Sequence, residues 1–421
     1  MRQTDKCIMA IGGAIGYRTP MNLAALSFRN FRIYLGGNIF SLNALWMQRV
    51  TIGWIAWDLT QSASFVGLIA FLNFAPTMVT GPLFGVLVDR VNVKQAARVT
   101  QSLMLAIATG LYLCYDFGLL NEYVLALITG LSGLVSSAHN PVRMSLTPRL
   151  VAREAVSSVI NIAAINFNLA RLTGPALGGW IIAVWGVDTA LLVQVFFYVP
   201  FLFAIGFLNP RDRQQTRRDE VSFFSALSVG IQHSLANTQI RDALMITGLF
   251  AFILRGTLEI LPVIADGVFH QGAAGLGILT ASAGFGALMA GMAKVLMPRQ
   301  VAGQLPKPAL VATLIGIALV PVLGLSRSWD LSILIITCLG FAGTLSGISM
   351  QTAIQMDLDD DLRGRVMSLW VMVGIGAAAA GAVFLGFLTD EIGFSMALGS
   401  TGMVGIILLV ILLARVWTPS R

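Results

Sequence analysis

Gly85-Val-Leu-Val-Asp89-Arg90-Val-Asn-Val-Lys94 closes one long apolar run abruptly with charge, and a second apolar run starts at once at Ala96. A glycine, an aspartate and two cations squeezed between two membrane-length segments describe a tight turn at a cytoplasmic membrane surface. The glycine lets helices approach, and the aspartate can pair with a cation or cap the next helix.

Outward from this turn, the whole chain has the same character. It has 421 residues, of which 56% are hydrophobic and 11% charged, against about 25% charged in an ordinary soluble domain. It therefore reads as a polytopic, all-α membrane protein. The net charge of +7 is explained by its distribution among loops rather than by a nucleic-acid partner. Cys7, Cys114 and Cys338 are far apart, and neither a disulfide framework nor a metal site is indicated. The short apolar patch Cys7 to Gly16 is broken by glycines and reads as part of a cytoplasmic tail.

Apolar runs of membrane length recur at roughly 33–57, 64–88, 95–115, 120–142, 157–184, 187–208, 242–265, 272–297, 309–326, 330–354, 366–389 and 393–414. Each can carry the helix of about 20 residues that crosses a hydrocarbon core, so twelve transmembrane helices are expected. The cations test this reading. All but four of the 27 Lys and Arg residues fall in alternate loops and the two tails. The opposite loops hold Arg327 together with Asp58, Asp116, Glu122, Asp188, Asp266, Asp330, Asp390 and Glu391, while Arg49, Arg171 and Arg255 lie inside spans. The positive-inside rule then places both termini in the cytoplasm.

The longest hydrophilic stretch, 209–240, divides six spans from six and contains a segment, Ser222 to Leu235, of amphipathic-helix character. The expected organisation is a cytoplasmic tail (1–27), a six-helix bundle (28–208), a cytoplasmic linker (209–240), a second six-helix bundle (241–415) and a short cytoplasmic tail (416–421). The halves echo one another at an offset of 206 to 208 residues: Arg49 with Arg255, Gly67 with Gly275, and Gly174 and Gly179 with Gly381 and Gly386. Two pseudo-symmetric bundles around a midplane cavity are the architecture of alternating-access carriers.

The opening stretch resembles the signature loop between helices 2 and 3 of the major facilitator superfamily, Gly-x-Leu-x-Asp-Arg-x-Gly-Arg-Lys. Gly85, Leu87, Asp89, Arg90 and Lys94 match it; Asn92 and Val93 stand where the pattern has Gly and Arg. Asn92 is expected to supply the left-handed backbone of the missing glycine. In span 5, Gly174-Pro175-Ala-Leu-Gly178-Gly179 resembles the Gly-Pro-x-x-Gly-Gly signature of superfamily antiporters, which are exporters. Trp57-Asp-Leu-Thr-Gln-Ser-Ala, Asn140-Pro-Val-Arg143 and Leu362-Arg-Gly-Arg-Val-Met-Ser368 are similar to the branch that holds the enterobactin exporter and drug:proton antiporters. The resemblance runs from Phe28 to about Trp417 and implies the major facilitator fold and proton-driven export of siderophore- or drug-like molecules from a bacterial cytoplasm across the inner membrane. An Arg midway along span 4, used by many drug antiporters, is absent; only His139 and Arg143 stand at that helix's end.

Ionisable groups inside spans are the best site candidates, because each costs about 2.5 to 3.5 kcal/mol at the bilayer centre unless paired or wetted. Arg255 and Glu259 are four apart and can pair on one helix face. Glu259, as the carboxylate well inside a span, can load and release a proton if its Arg partner comes and goes; a static structural pair is the competing reading. Arg171 can bind an anionic group of a substrate or hold neighbouring carbonyls. Arg49, Asn43, Asn73 and Asn166 are cavity candidates, with Trp46, Trp54, Phe71 and Phe74 as apolar walls; inter-helix hydrogen bonding is the alternative for each Asn. Gly174, Pro175, Gly178 and Gly179 form a helix-packing and kinking motif. Gly85, Asp89, Arg90, Lys94, Arg363 and Arg365 are expected to latch the halves on the cytoplasmic side.

No Walker loop, His-Glu-x-x-His or Gly-x-Ser-x-Gly signals an enzyme. No cofactor and no metal are expected, and the partners are a small-molecule substrate, protons and the bilayer, with the chain acting as a monomer. Two other functions fit the same sequence: a lysophospholipid flippase, or a transport-inactive membrane scaffold or sensor.

Overall fold

A backbone that crosses hydrocarbon must satisfy its own amides, and a helix does so within one segment. The computed structural model describes residues 23–88, 90–211, 223–298, 300–301, 303–358 and 360–417, and among these every regular element is helical. α1 (Arg29–Thr60), α2 (Ala63–Val88), α3 (Val93–Asp116) and α4 (Glu122–Leu146) are followed by α5 (Val156–Phe207), which Gly186, at φ 90° and ψ 170°, breaks into two limbs. α6 (Phe223–Ala236) precedes α7 (Thr238–Phe250). That helix runs on through a π turn (Ala251–Arg255), one α turn (Gly256–Glu259) and a second π segment (Val263–Val268). α8 (Gly272–Leu296), α9 (Lys307–Leu325), α10 (Trp329–Met356), α11 (Asp360–Ile392) and α12 (Phe394–Trp417) complete the chain.

Among the described residues, eight helical stretches are long and apolar enough by themselves to cross a membrane, and one of them, Arg153–Phe207, is 55 residues long and bent, enough for two crossings. Adding α1, α4 and the α7 segment, which carry more of the polar side chains, gives a set consistent with twelve crossings. α1 packs along α5, α2 along α4, and α3 against both α4 and α5; in the other half α8 packs on α10, and α9 on α10 and α12. The halves meet along α2 with α11 and α5 with α8, and α1 also touches α8. This is the two-bundle, all-helical architecture expected from the sequence. α6, within the expected linker, docks on the start of α11: a Cβ on Gly230 would lie 3.2 Å from the Arg365 backbone.

The turn after α2 differs from its reading in sequence. Asn92 is not left-handed; its φ of −67° and ψ of 111° are extended, and its side chain caps α3 by accepting from the N–H groups of Lys94 and Gln95. Capping needs an extended residue with a short acceptor, which asparagine supplies and glycine does not. Gly85 brings no helix close either, since a Cβ there would meet nothing within 4 Å.

One end of the bundle carries the acidic loops and the other the basic ones, and the two ends are packed differently. At the acidic end the bundles meet backbone to backbone. A Cβ on Gly179 would lie 2.6 Å from the Cα of Gly277, one on Gly67 would strike the carbonyl of Ala382, and one on Gly386 that of Ala63. Asp390, near the end of α11, accepts from Ser62 Oγ (2.8 Å) and from the N–H groups of Ala63 (2.9 Å) and Ser64 (2.8 Å), so a carboxylate of one bundle caps a helix of the other. Trp57 Nε1 donates to Asp266 Oδ2 at 2.9 Å across the same seam. Towards the basic end the seam parts. α2 has a buried stripe from Ala63 to Ala70, and beyond it residues 71–81 are all half-buried or exposed. α11 mirrors this, with a buried stripe from Ala378 to Leu385 and mostly half-buried residues over 367–377.

Removing the Asp390 carboxylate should therefore loosen the acidic end. Asp390→Ala is expected to raise the population open at that end by about an order of magnitude, the worth of one charge-assisted hydrogen bond. Distance distributions between spin labels at Leu59 and Glu391 test this; identical distributions in the parent and the variant would remove the cap from the closure.

Candidate functional site

Where α1, the first limb of α5, the π-flanked turn after α7 and α8 converge, they enclose a cavity of about 110 Å³. Its lining includes Trp46, Arg49, Arg171, Pro175, Glu259 and Thr280. Both bundles contribute, so the cavity lies on the seam that the acidic end closes.

A guanidinium is tolerable here because aromatic faces receive it. Arg49 Cζ lies 4.8 Å from the ring centroids of both Trp46 and Phe74, and Arg171 Cζ lies 5.6 Å from that of Trp46. The Trp46 indole thus serves two cations, each contact worth about 0.5 to 2 kcal/mol. Trp46 also meets Phe167 edge-on at 5.7 Å, and Phe167 in turn receives Arg143 at 5.2 Å. This alternation of cation and ring leads from the cavity to the end of α4, at the basic end. Gly174 makes the arrangement possible: a Cβ there would lie 2.7 Å from the Trp46 Cβ. Gly178 likewise faces Met47 of α1, while Gly179 faces α8.

Arg49, Arg171 and Glu259 come together in the cavity wall, and the Glu259 carboxylate lies in the electrostatic field of Arg49, Arg171 and Arg255. Arg255 takes a different direction from the one its spacing suggests. Among the described residues no ion pair joins it to Glu259. Its guanidinium stands 5.7 Å from the Phe250 ring centroid and beside Gly347 of α10, whose added Cβ would lie 3.2 Å from it. Arg255 ends the first π turn, and the wider turn alters the facing that the spacing of four assumes.

The asparagines serve the helix interface rather than this cavity. Asn166 Nδ2 donates to Asn38 Oδ1 at 3.2 Å, and Asn43 Oδ1 accepts from Thr173 Oγ1 at 2.7 Å, both between α1 and α5. Tyr198 bonds Gln48, and Gln194 bonds Thr51, in the same manner. Asn73 is half-buried on α2, away from the cavity lining. His139 Nδ1 pairs with Thr100 Oγ1 at 3.1 Å within its own bundle. Of the expected latch, Asp89 lies outside the described residues. Lys94 Nζ donates to the Gly206 carbonyl of its own half at 3.0 Å, and an Arg363 Nη2 contact to Leu358 O at 3.4 Å is likewise local. Two participants had no strong signal in the sequence: Thr280 and Pro262 reach the cavity only because α8 and the turn after Glu259 pack there.

A family model described as transmembrane secretion effector matches residues 21–420. The chain belongs to this family, within the major facilitator superfamily. It is 22% identical over 368 residues to the staphyloferrin A transporter of Staphylococcus aureus, covering 86% of this chain and 88% of that one. It is 21% identical over 375 residues to macrolide efflux protein A of Streptococcus pyogenes, covering 86% and 90%. It is 23% identical over 393 residues to the enterobactin exporter of Escherichia coli, covering 91% of each. The solved structure of the nucleoside transporter NupG superimposes with a TM-score of 0.73 at 10% identity, covering 92% of this chain and 98% of that one, a likeness of fold. This member of the transmembrane secretion effector family is thus a multi-pass membrane transporter and not an enzyme.

Two glycines of the signature motifs should respond oppositely to substitution. Gly174→Leu forces α5 away from Trp46 and is expected to cost about 1 to 3 kcal/mol, lowering the thermal unfolding midpoint in detergent. Gly85→Ala, with open space at its Cβ, should leave that midpoint within about 1 °C. Equal effects would show that the α1–α5 contact does not set stability.

Proposed function

We propose that the chain exports small amphipathic molecules, siderophore- or drug-like in character, from a bacterial cytoplasm across the inner membrane by alternating access in exchange for protons. The observation that carries the proposal is the charged cavity on the seam between the bundles, closed at the acidic end and flanked by helices that part towards the basic end. With the basic loops in the cytoplasm, this is a state that loads from inside. The bodies 28–208 and 241–415, joined by 209–240, then rock about the seam: the Asp390 cap and the Trp57–Asp266 bond break, and the loops around Asp89, Arg90, Lys94, Arg363 and Arg365 close the other side. Glu259 is the carboxylate of the cavity, and its charge state feels how near the three guanidiniums stand. It is the residue assigned to carry the proton.

Everted vesicles holding the purified protein test this. Addition of a transported siderophore should collapse an imposed proton gradient, and Glu259→Gln should lose at least nine-tenths of that collapse while remaining folded. Full collapse with Glu259→Gln would take Glu259 out of the coupling; no collapse with any compound would overturn antiport.

A lysophospholipid flippase is supported by one feature, an apolar cleft of about 520 Å³ between α5, α8 and α10 that is lined by Leu172, Trp180, Ile278 and Phe285. Trp180, Ile278 and Phe285 are exposed, so the cleft opens laterally. Competition by lysolipid against siderophore efflux separates this reading from the first.

A further inference from the structure

The cavity is rich in donors and poor in acceptors. Two of its lining residues hold a buried donor without a hydrogen-bond partner among the described residues, Trp46 Nε1 and Arg49 Nε. Buried donors of this kind cost about 1 to 3 kcal/mol each when left unmade. The other polar groups do not answer them. Thr280 spends its hydroxyl on the Leu276 carbonyl at 2.8 Å, and Glu259 bonds neither donor. Charge points the same way: Arg49 and Arg171 share the cavity lining with one carboxylate, Glu259, which also lies in the field of Arg255. Because the Arg49 and Arg171 guanidiniums both lie against the Trp46 ring, its N–H and the Arg49 Nε–H are held in one small region by shared packing.

We propose that this cavity is an oxyanion subsite that takes a carboxylate of the transported molecule, with the Arg49 and Arg171 guanidiniums in its wall supplying charge and the Trp46 Nε1–H and Arg49 Nε–H, covered in this structure, donating to its oxygens once the ligand enters. At about 110 Å³ the space admits a carboxylate and a few waters, not a whole siderophore; the remainder of the molecule extends along Phe167 and Arg143 towards the basic end. Trp46 is then a specificity-determining residue: it selects an acceptor-only headgroup, and a neutral amide, which also brings donors, is rejected. The subsite rests on the reading that the cavity lies on the transport path, so its test reads binding rather than transport.

Purified full-length protein in detergent is titrated with citrate, inorganic phosphate and neutral benzamide at constant ionic strength, with binding followed by calorimetry. Saturable citrate binding is expected, with phosphate weaker and benzamide absent. Trp46→Phe, which keeps an aromatic ring for the guanidiniums and removes the N–H together with the five-membered ring that carries it, should weaken citrate about tenfold while leaving the unfolding midpoint close to the parent's; Arg49→Lys should weaken it as much or more. The proposal is overturned if citrate fails to bind the parent, if benzamide binds equally well, or if citrate binds Trp46→Phe and Arg49→Lys unchanged. Phosphate binding tighter than citrate would overturn the carboxylate assignment. Citrate binding that depends on Trp46 in a protein that moves no siderophore would uphold the subsite and sink the export reading, so the two failures are distinct.

Discussion

Positive charge buried where two bundles meet is the constraint from which the rest of the structure follows. Each of Arg49, Arg171 and Arg255 sits in a helix that would insert more easily without it, by about 2.5 to 3.5 kcal/mol. The chain offsets this with rings rather than with carboxylates. Trp46 receives two guanidiniums, Phe74 shares one, and Phe250 receives the third. The helices that carry these groups also pack closely: the Trp46 Cβ and the Asn43 carbonyl of α1 leave no room for a side chain at position 174.

The closure of the acidic end has a symmetry that the repeat explains. Gly179 of α5 meets α8 at Ala273 and Gly277, and Gly386 of α11 meets α2 at Ala63 and Ser64. Gly179 and Gly386 are counterparts at the offset relating the halves, and the helices they touch, α8 and α2, are counterparts as well. Two equivalent backbone contacts therefore flank the seam. The hydrogen bonds that Asp390 and Asp266 accept across the seam add direction on top of them.

The fold was largely legible in the sequence because the bilayer leaves few solutions. Apolar runs set the helices, and the cations told one end from the other. Gly174, Gly178 and Gly179 were legible as contact residues because their spacing places small side chains along a helix. The site was legible only in part. Arg49, Arg171 and Glu259 stood out as charges inside spans, and they do share a cavity wall. Arg255 stood out equally, yet the π turn it ends sends its guanidinium towards Phe250 and Gly347, and no spacing rule reveals a π turn. Trp46 read as an apolar wall, whereas its N–H and ring faces carry the polar organisation of the cavity. Asp390 read as one more outer loop charge, since a cap between chain segments 326 to 328 residues apart leaves no local trace.

The π segments on either side of Glu259 have a mechanical consequence. The single α turn Gly256–Glu259 lies between two stretches that already carry an extra residue per turn, and Pro262 deprives the helix of one amide donor. A π turn migrates along a helix by exchanging one hydrogen bond for its neighbour, without unfolding anything. Such a step would turn the Glu259 side chain through about 100° while α7 stayed packed against its neighbours. A local change of winding would thus redirect the carboxylate without any movement of one bundle against the other.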